Sequence, residues 1–376
     1  MSKEILFESG LRKMHLLLAS GIPLSSKNSF YWQLTLLNDG LKRKGINTTL
    51  ISPVPSNKKN LDGKIKEGIF FTDYRKKDSL KLLKADLPNA IILLGYPDEF
   101  PFLSELPNFI NIYLWAQFSH PPDLDDFFSK RIIFVPLTKK TAEYCTKAGA
   151  KNVLDPIPHG ISTEIYRPLE KKQKIAIRNE MELNIEFIVG TVAKNILRKR
   201  LNDVIEAFSR ASMSIENSLL LIKTDKTTSD AGYDLIYLAK RYGIYNKIRI
   251  IKGDFDRYRM SELYNCMDAY VQLSEWEGFG IPVIEAMSCG VPVVTHNVQG
   301  PGELVGDGGI VVDSFEYIDD TGAVLSRADI GKVSEALCLI HRDELLKTKL
   351  SENAIKIARD KYNISRIVDR WLKIIE

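Results

Sequence analysis

Two glutamates and a glycine loop carry the strongest chemical signal in the chain. They lie in S-E-W-E-G-F-G-I-P-V-I-E, Ser274 to Glu285, where seven residues separate Glu277 from Glu285. Pro282 suits a first helical position and Gly290 a stop, so Pro282–Ser288 has room for one short helix. The free N–H groups of that helix start follow directly on Gly278, Phe279 and Gly280, where the backbone can approach a ligand closely. Such a start favours phosphate. The acids cannot serve the phosphate themselves, because like charges repel, so their natural partners are hydroxyl groups on whatever the phosphate carries. Sugar and ribose hydroxyls fit. Each acid also has a plainer reading, Glu277 as a solvated loop acid and Glu285 as a complement to the helix N-terminus.

The elements around this stretch read as a parallel α/β arrangement. Met267–Leu273 and Val291–Thr295 are strands on either side of the motif. Upstream, Phe187–Val192, Ser218–Lys223 and Lys247–Ile251 are strands, alternating with helices over Asn202–Ser212, Leu235–Tyr242 and Ser261–Cys266. The loop A-K-N-I-L-R-K-R-L places Lys194, Arg198 and Lys199 between a strand and a helix start, where their charge adds to that of backbone N–H groups and can meet a diphosphate. Earlier in the chain, His15–Ala19, Asn47–Ile51, Ile69–Thr72, Ala90–Gly95, Ile110–Ala116 and Arg131–Pro136 are strands. Helices are expected over Phe30–Lys44 and Thr138–Ala148. His120 follows the strand ending at Ala116 and is held by Pro121 and Pro122, so it faces a crevice at a strand's carboxyl end. Prolines between Val153 and Pro168, with K-K-Q-K behind them, mark a linker. Helices over Ala328–Ile340, Glu344–Asp360 and Asn363–Glu376 close the chain.

The run E-G-F-G-I-P-V-I-E, with A-M-S-C-G-V-P-V-V behind it, resembles the donor-site signature of retaining GT-B glycosyltransferases, notably glycosyltransferase family 4, the group 1 glycosyl transferases. The resemblance implies an α/β chain of GT-B architecture, two doubly wound Rossmann-like domains facing across a cleft. The domains expected are 1–165, on the acceptor side, and 170–362, on the nucleotide-sugar side, with the 363–376 helix crossing back onto the first. The resemblance gives Lys194 and Lys199 to the diphosphate, with lysine replacing the family's arginine and Arg198 in reserve. It gives the Gly278, Phe279, Gly280 and Ile281 stretch to the donor, Glu285 to the ribose hydroxyls, His120 to the donor sugar and Phe255 to the base. Glu277 could be a nucleophile, a stabiliser of positive charge or an acceptor for sugar hydroxyls, and the resemblance favours the last. The family's paired glycines after the first strand are missing from I-P-L-S-S-K-N-S, where Ser25, Ser26, Lys27 and Asn28 are the acceptor-side candidates. His159 stands where relatives have asparagine and is read as a turn residue.

Composition narrows the remaining classes. A chain of 376 residues with 44% hydrophobic and 27% charged residues is an ordinary globular chain long enough for two domains. Its four cysteines are scattered, without C-x-x-C spacing, which implies a reducing compartment and no zinc site. No apolar run approaches the ~20 residues of a membrane span, and Met1–Lys13 lacks the apolar core of a signal peptide, so a cytoplasmic location is expected. Residues 1–164 hold 22 basic side chains against 17 acidic ones, concentrated between Lys58 and Lys84. That excess is either a solvated face or a contact with an anionic acceptor or the inner face of a membrane. No nucleic acid partner, metal or cofactor is expected. Asp125-Asp126 and Asp319-Asp320 read as solvated turns. The expected activity is metal-independent transfer of a hexosyl group from a nucleoside-diphosphate sugar to an acceptor hydroxyl, with retention; the acceptor is a glycan, a lipid-linked molecule or a protein. A sugar-nucleotide 2-epimerase and a non-catalytic nucleotide-sugar-binding subunit are the alternatives, and a phosphorylase lacks a diagnostic pyridoxal-phosphate lysine.

Overall fold

A computed structural model of the chain describes residues 14–25, 28–75, 87–320 and 324–375. Apart from the last two residues, the chain divides into two compact units. One runs to Trp115 and takes in Arg131–Ile133; the other comprises Ala116–Lys130 and Phe134–Ile374.

The first unit is built on β1 (His15–Ser20), β2 (Asn47–Pro53), β3 (Lys64–Lys66), β4 (Ile69–Thr72), β5 (Ala90–Leu94) and β6 (Asn111–Ala116). Its strands run in the order β3-β4-β2-β1-β5-β6. All are parallel to their neighbours except β3, which pairs antiparallel with β4. The β1 run H-L-L-L-A-S and the β5 run A-I-I-L-L are buried at every residue, as expected of central strands covered on both faces. The helix Ser29–Arg43 starts at Asn28, whose side chain accepts the Tyr31 N–H.

The second unit opens with β7 (Ile133–Pro136) and β8 (Asn152–Val153), which lie side by side. Its main sheet is formed by β9 (Phe187–Val192), β10 (Ser218–Lys223), β11 (Ile248–Ile251), β12 (Ala269–Val271), β13 (Val293–His296) and β14 (Gly309–Val312). The order is β11-β10-β9-β12-β13-β14, and every pair is parallel. The chain therefore leaves β9 toward one edge and returns through β12 toward the other. In an open parallel sheet the ligand crevice lies at the carboxyl ends of the strands where the order reverses. Here the loops at that point are those after β9 and β12. On one face of this sheet, Val189 of β9, Leu220 and Ile222 of β10, Ala269 and Val271 of β12 and Val294 of β13 share a buried core with Leu201, Val204, Ile205 and Phe208. These last four come from the helix Leu201–Ala211, which presents one apolar face.

The division into compact units falls near Ala116, and hydrogen bonds join residues 139–161 to the C-terminal segments. Within the second unit, Glu303 accepts the backbone N–H groups of Lys139 and Lys140 at 2.9 and 3.2 Å. Ile161 and Ile364 form an exchange with Tyr362 and Ile161 backbone at 2.8 and 2.9 Å, and Arg370 donates to the Pro156 carbonyl. The helix Ile364–Ile375 therefore packs on the 156–161 segment through Ile364 and Ile367, against the bare Cα of Gly160. Three expectations change. Residues expected as linker form a helix, Lys171–Glu180, anchored by Arg178 to Asp268 at 2.7 Å. Ala328 belongs to a strand rather than a helix: β15 (Ser314–Ile318) and β16 (Val324–Ala328) pair antiparallel, and the next helix is Ile330–Arg342. β3 was not expected.

Candidate active site

The reversal point between β9 and β12 brings the basic loop onto the glutamate motif. Glu277 is buried, 6% exposed, at the centre of this contact. Its Oε1 accepts from Ser274 Oγ at 2.8 Å, from Gln272 Nε2 at 2.9 Å and from Lys199 Nζ. Its Oε2 faces Arg198 at 3.3 Å. Burial by itself would raise the Glu277 carboxyl, but Lys199, Arg198 and Ser274 outweigh it and hold the group below its ordinary value. Glu277 is thus an ionised acid inside the fold. Burial pushes the Lys199 ammonium down against the pull of Glu277.

The loop geometry is fixed by contacts not apparent in the motif. Arg198 stacks on Trp276, 4.3 Å from guanidinium to ring centre, and donates to the Trp276 carbonyl at 3.1 Å. Glu275 accepts from the Tyr317 hydroxyl at 2.6 Å and Arg327 at 2.9 Å, with Arg200 at 3.6 Å. Its backbone N–H donates to the Arg198 carbonyl at 2.8 Å, while its carbonyl accepts from Ser326 at 3.0 Å. The β15–β16 hairpin is thereby tied to both loops. Arg200 itself has φ +50°, an uncommon conformation for a side chain-bearing residue, and its guanidinium holds Asp203 at 2.8 Å.

After the glutamate, Gly280 at φ +107° turns the chain into the helix Ile281–Ser288, with Pro282 in its first turn. No side chain caps this helix, in contrast to the helices begun by Thr138, Asp234, Asp256 and Asp329. Its first N–H groups remain for a ligand. Gly278 packs beside the Gln117 carbonyl, which a Cβ would approach to 3.1 Å, and Gly300, at φ +80°, packs on the Phe279 carbonyl. The Phe279 side chain is turned away from the site: it is buried against His159, ring centres 5.2 Å apart, and against Tyr362. The side chain expected at the donor is thus packed elsewhere. His159 is buried too, and burial lowers its imidazole to about 3.

Glu285 lies one turn into the helix and accepts from the Tyr264 hydroxyl at 2.8 Å. Burial raises its carboxyl to about 7, offset in part by hydrogen bonds from Tyr264 and Tyr166. Of the other expected residues, Lys194 is exposed at the start of the basic loop. His120 is exposed, with Ser119 Oγ 3.1 Å from its Nδ1, on the 117–120 loop. That loop is held beside the motif by Gln299, whose amide donates to the Phe118 carbonyl at 2.5 Å. Phe255 follows β11 and packs under Lys223, 5.1 Å from ammonium to ring centre. In the first unit, Asn28 is occupied as a helix cap and Ser25 is exposed, while Ser26 and Lys27 lie outside the described residues. At the β1/β5 reversal of that unit, a residue that drew no attention in the sequence stands over two glycines: a Cβ on Gly21 or Gly95 would fall 1.9 or 2.3 Å from Glu99 Oε2. Gln272, Ser274, Glu275, Arg200 and Tyr264 were also missed. For two of them a signal existed, since A-Y-V-Q-L-S at 269–274 alternates apolar and polar residues along a strand.

Two doubly wound parallel sheets, with a phosphate-type helix start and a basic loop meeting at a strand-order reversal, define a GT-B glycosyltransferase fold. Residues 173–357 match the family described as Glycosyl transferases group 1, so the second unit carries a domain of that family. Among curated proteins, the chain is 28% identical over 195 residues to sucrose synthase 6 of Arabidopsis thaliana, covering 51% of this chain and 19% of that protein. It is 27% identical over 173 residues to the N-acetyl-alpha-D-glucosaminyl L-malate synthase of Bacillus anthracis, covering 46% and 41%. The matched regions thus span less than half of these relatives. Among solved structures, Anabaena HepE in complex with UDP and glucose superposes with a TM-score of 0.73 at 15% identity, over 96% of this chain and 99% of that one.

Proposed function

We propose that the protein transfers a hexosyl group from a nucleoside-diphosphate sugar to an acceptor hydroxyl, with retention of anomeric configuration and without a metal ion. The observation that carries this reading is the buried, ionised Glu277 beside Lys199, next to the uncapped start of Ile281–Ser288. Departure of a nucleoside diphosphate requires stabilisation of a growing negative charge, and Lys199, Lys194, Arg198 and the free helix N–H groups supply it. Glu277 serves as acceptor for the sugar hydroxyls and Glu285 for the ribose hydroxyls, with His120 on the sugar. Attack comes from the face the leaving group vacates: the acceptor oxygen bonds to the anomeric carbon as the carbon–oxygen bond to the diphosphate breaks, and a leaving phosphate oxygen takes the acceptor proton. A uridine nucleotide is the first donor to try, because HepE was solved with UDP.

The first unit selects the acceptor, a glycan, lipid-linked molecule or protein, through residues after β1 such as Ser25 and Asn28. The four cysteines are free and three are buried, which fits a reducing cytoplasm. Among the described residues no helix is long and apolar enough to cross a membrane, and contact with an inner membrane face would run through basic side chains such as Lys58, Lys59 and Lys64. The test is incubation with α-linked UDP-, GDP- and ADP-sugars and a panel of glycan, lipid-linked and protein acceptors in EDTA, with the anomeric configuration of the glycoside product assigned by proton NMR. An α product in EDTA is expected. A β product overturns retention, activity lost in EDTA overturns metal independence, and an epimerised donor sugar overturns transfer.

A further inference from the structure

Glu277 is gripped by neutral donors as well as by cations. Tyr270, Gln272 and Ser274 lie at alternate positions as the chain leaves β12, so they share one face, while Ala269, Val271 and Leu273 fill the core on the other. Ser274 Oγ and Gln272 Nε2 both donate to Oε1 of Glu277, at 2.8 and 2.9 Å. The orientation of the Gln272 amide follows from chemistry. An ionised carboxylate only accepts, so the amide nitrogen must face Glu277, which turns Oε1 of Gln272 to the Tyr270 hydroxyl at 2.9 Å; the Val192 carbonyl is that hydroxyl's more distant acceptor, at 3.4 Å. Tyr270 meets Tyr264 edge to face at 5.9 Å, and Tyr264 donates to Glu285 at 2.8 Å. The two motif glutamates therefore stand at the ends of one buried row of side chains. Among the described residues three donors crowd Oε1, whereas Oε2 has only Arg198, at 3.3 Å.

We propose that Gln272 and Ser274 are positioning residues for sugar transfer: by occupying Oε1 of Glu277 they leave Oε2 to face the hydroxyls of the donor sugar. This rests on the donor-sugar reading of the site. Among the described residues, the charged and titratable groups that act on Glu277 are Lys199 and Arg198 from the loop after β9 and Tyr270 from β12, and Lys194 acts electrostatically on Lys199. Removing a neutral donor leaves these charges in place, so any change in the titration of Glu277 comes from the lost hydrogen bond.

The decisive comparison is Ser274→Thr against Ser274→Val, which have the same shape and differ by the hydroxyl, with Gln272→Met as the second site. Sugar-nucleotide turnover is measured across pH in the full chain, and the Glu277 carboxyl is titrated by carbon NMR of glutamate-labelled protein. Ser274→Thr is expected to keep turnover and titration close to wild type. Ser274→Val and Gln272→Met are expected to lower kcat at least ~10-fold with donor KM changed less than about threefold, and to move the acid limb of kcat/KM and the Glu277 titration upward. UDP, which has no sugar, is expected to bind all forms equally. Thr and Val variants alike in kcat and in Glu277 titration would overturn the proposal. A wild type that turns over no sugar nucleotide defeats the transfer reading instead, and the titration still decides whether these residues hold the carboxylate.

Discussion

Eight positions apart in sequence, Glu277 and Glu285 have opposite electrostatic settings. Cations outweigh burial at Glu277, whereas at Glu285 burial outweighs two tyrosine hydroxyls and lifts the carboxyl to about 7. A raised acid favours folding while protonated, so the Glu285 contribution is complete below its ordinary value near 4.5 and is lost as pH rises through 7. Glu285→Gln is therefore expected to flatten the fall in Tm between pH 5 and 8, as read by scanning calorimetry. In catalysis, Glu285→Ala should raise the donor KM ~10-fold or more with little change in kcat, the signature of lost ground-state binding. Lys199→Ala should lower kcat by about 10²-fold, the usual scale for one group stabilising a leaving charge. Steady-state kinetics on the two variants separates these outcomes. At this scale the sequence showed the acids and the cation-rich loop, because their types and spacing are local. It did not show that Lys199 and Arg198, rather than Lys194, reach Glu277, nor that Phe279 turns inward, since both depend on packing between distant segments.

At the scale of elements, the site depends on tight approach of loops. Gly300 has φ +80°, and a Cβ there would stand 2.1 Å from the Phe279 carbonyl oxygen. Gly300→Ala should cost about 2–4 kcal/mol in urea unfolding, from left-handed strain together with the clash, and should weaken donor binding by shifting the Gly278–Gly280 loop. The parallel strands were readable because short apolar runs such as L-L-L-A and I-I-L-L have few other uses. Their order was not, and it is the order that places the loops after β9 and β12 together. The helix Lys171–Glu180 escaped because its charged sequence has a weak apolar face, with no residue of it buried. The β15–β16 hairpin escaped because the polar residues that link it to Glu275 resemble those of a solvated loop.

Across the whole molecule, stability in acid should be governed by histidines buried without charge. Burial lowers His159 to about 3 and His296 to about 4, so the stability they represent is complete above ~6.5 and is lost as pH falls from there toward those values. For His159→Gln, the stability difference from wild type should narrow by about 2 kcal/mol between pH 7 and pH 5, measured by urea unfolding at both. The fold class and the GT-B resemblance were readable at this scale from one motif. The hydrogen bonds of Glu303 with Lys139 and Lys140 were not, because the partners stand 164 and 163 residues apart in sequence. The most direct test of the account is isothermal titration calorimetry of UDP, GDP, ADP and their common sugar conjugates, in EDTA, on wild type and Glu285→Ala. One nucleotide series is expected to bind the wild type and to bind the variant at least ~10-fold more weakly. Folded wild type that binds none of them, or a variant that binds as tightly as wild type, would contradict it.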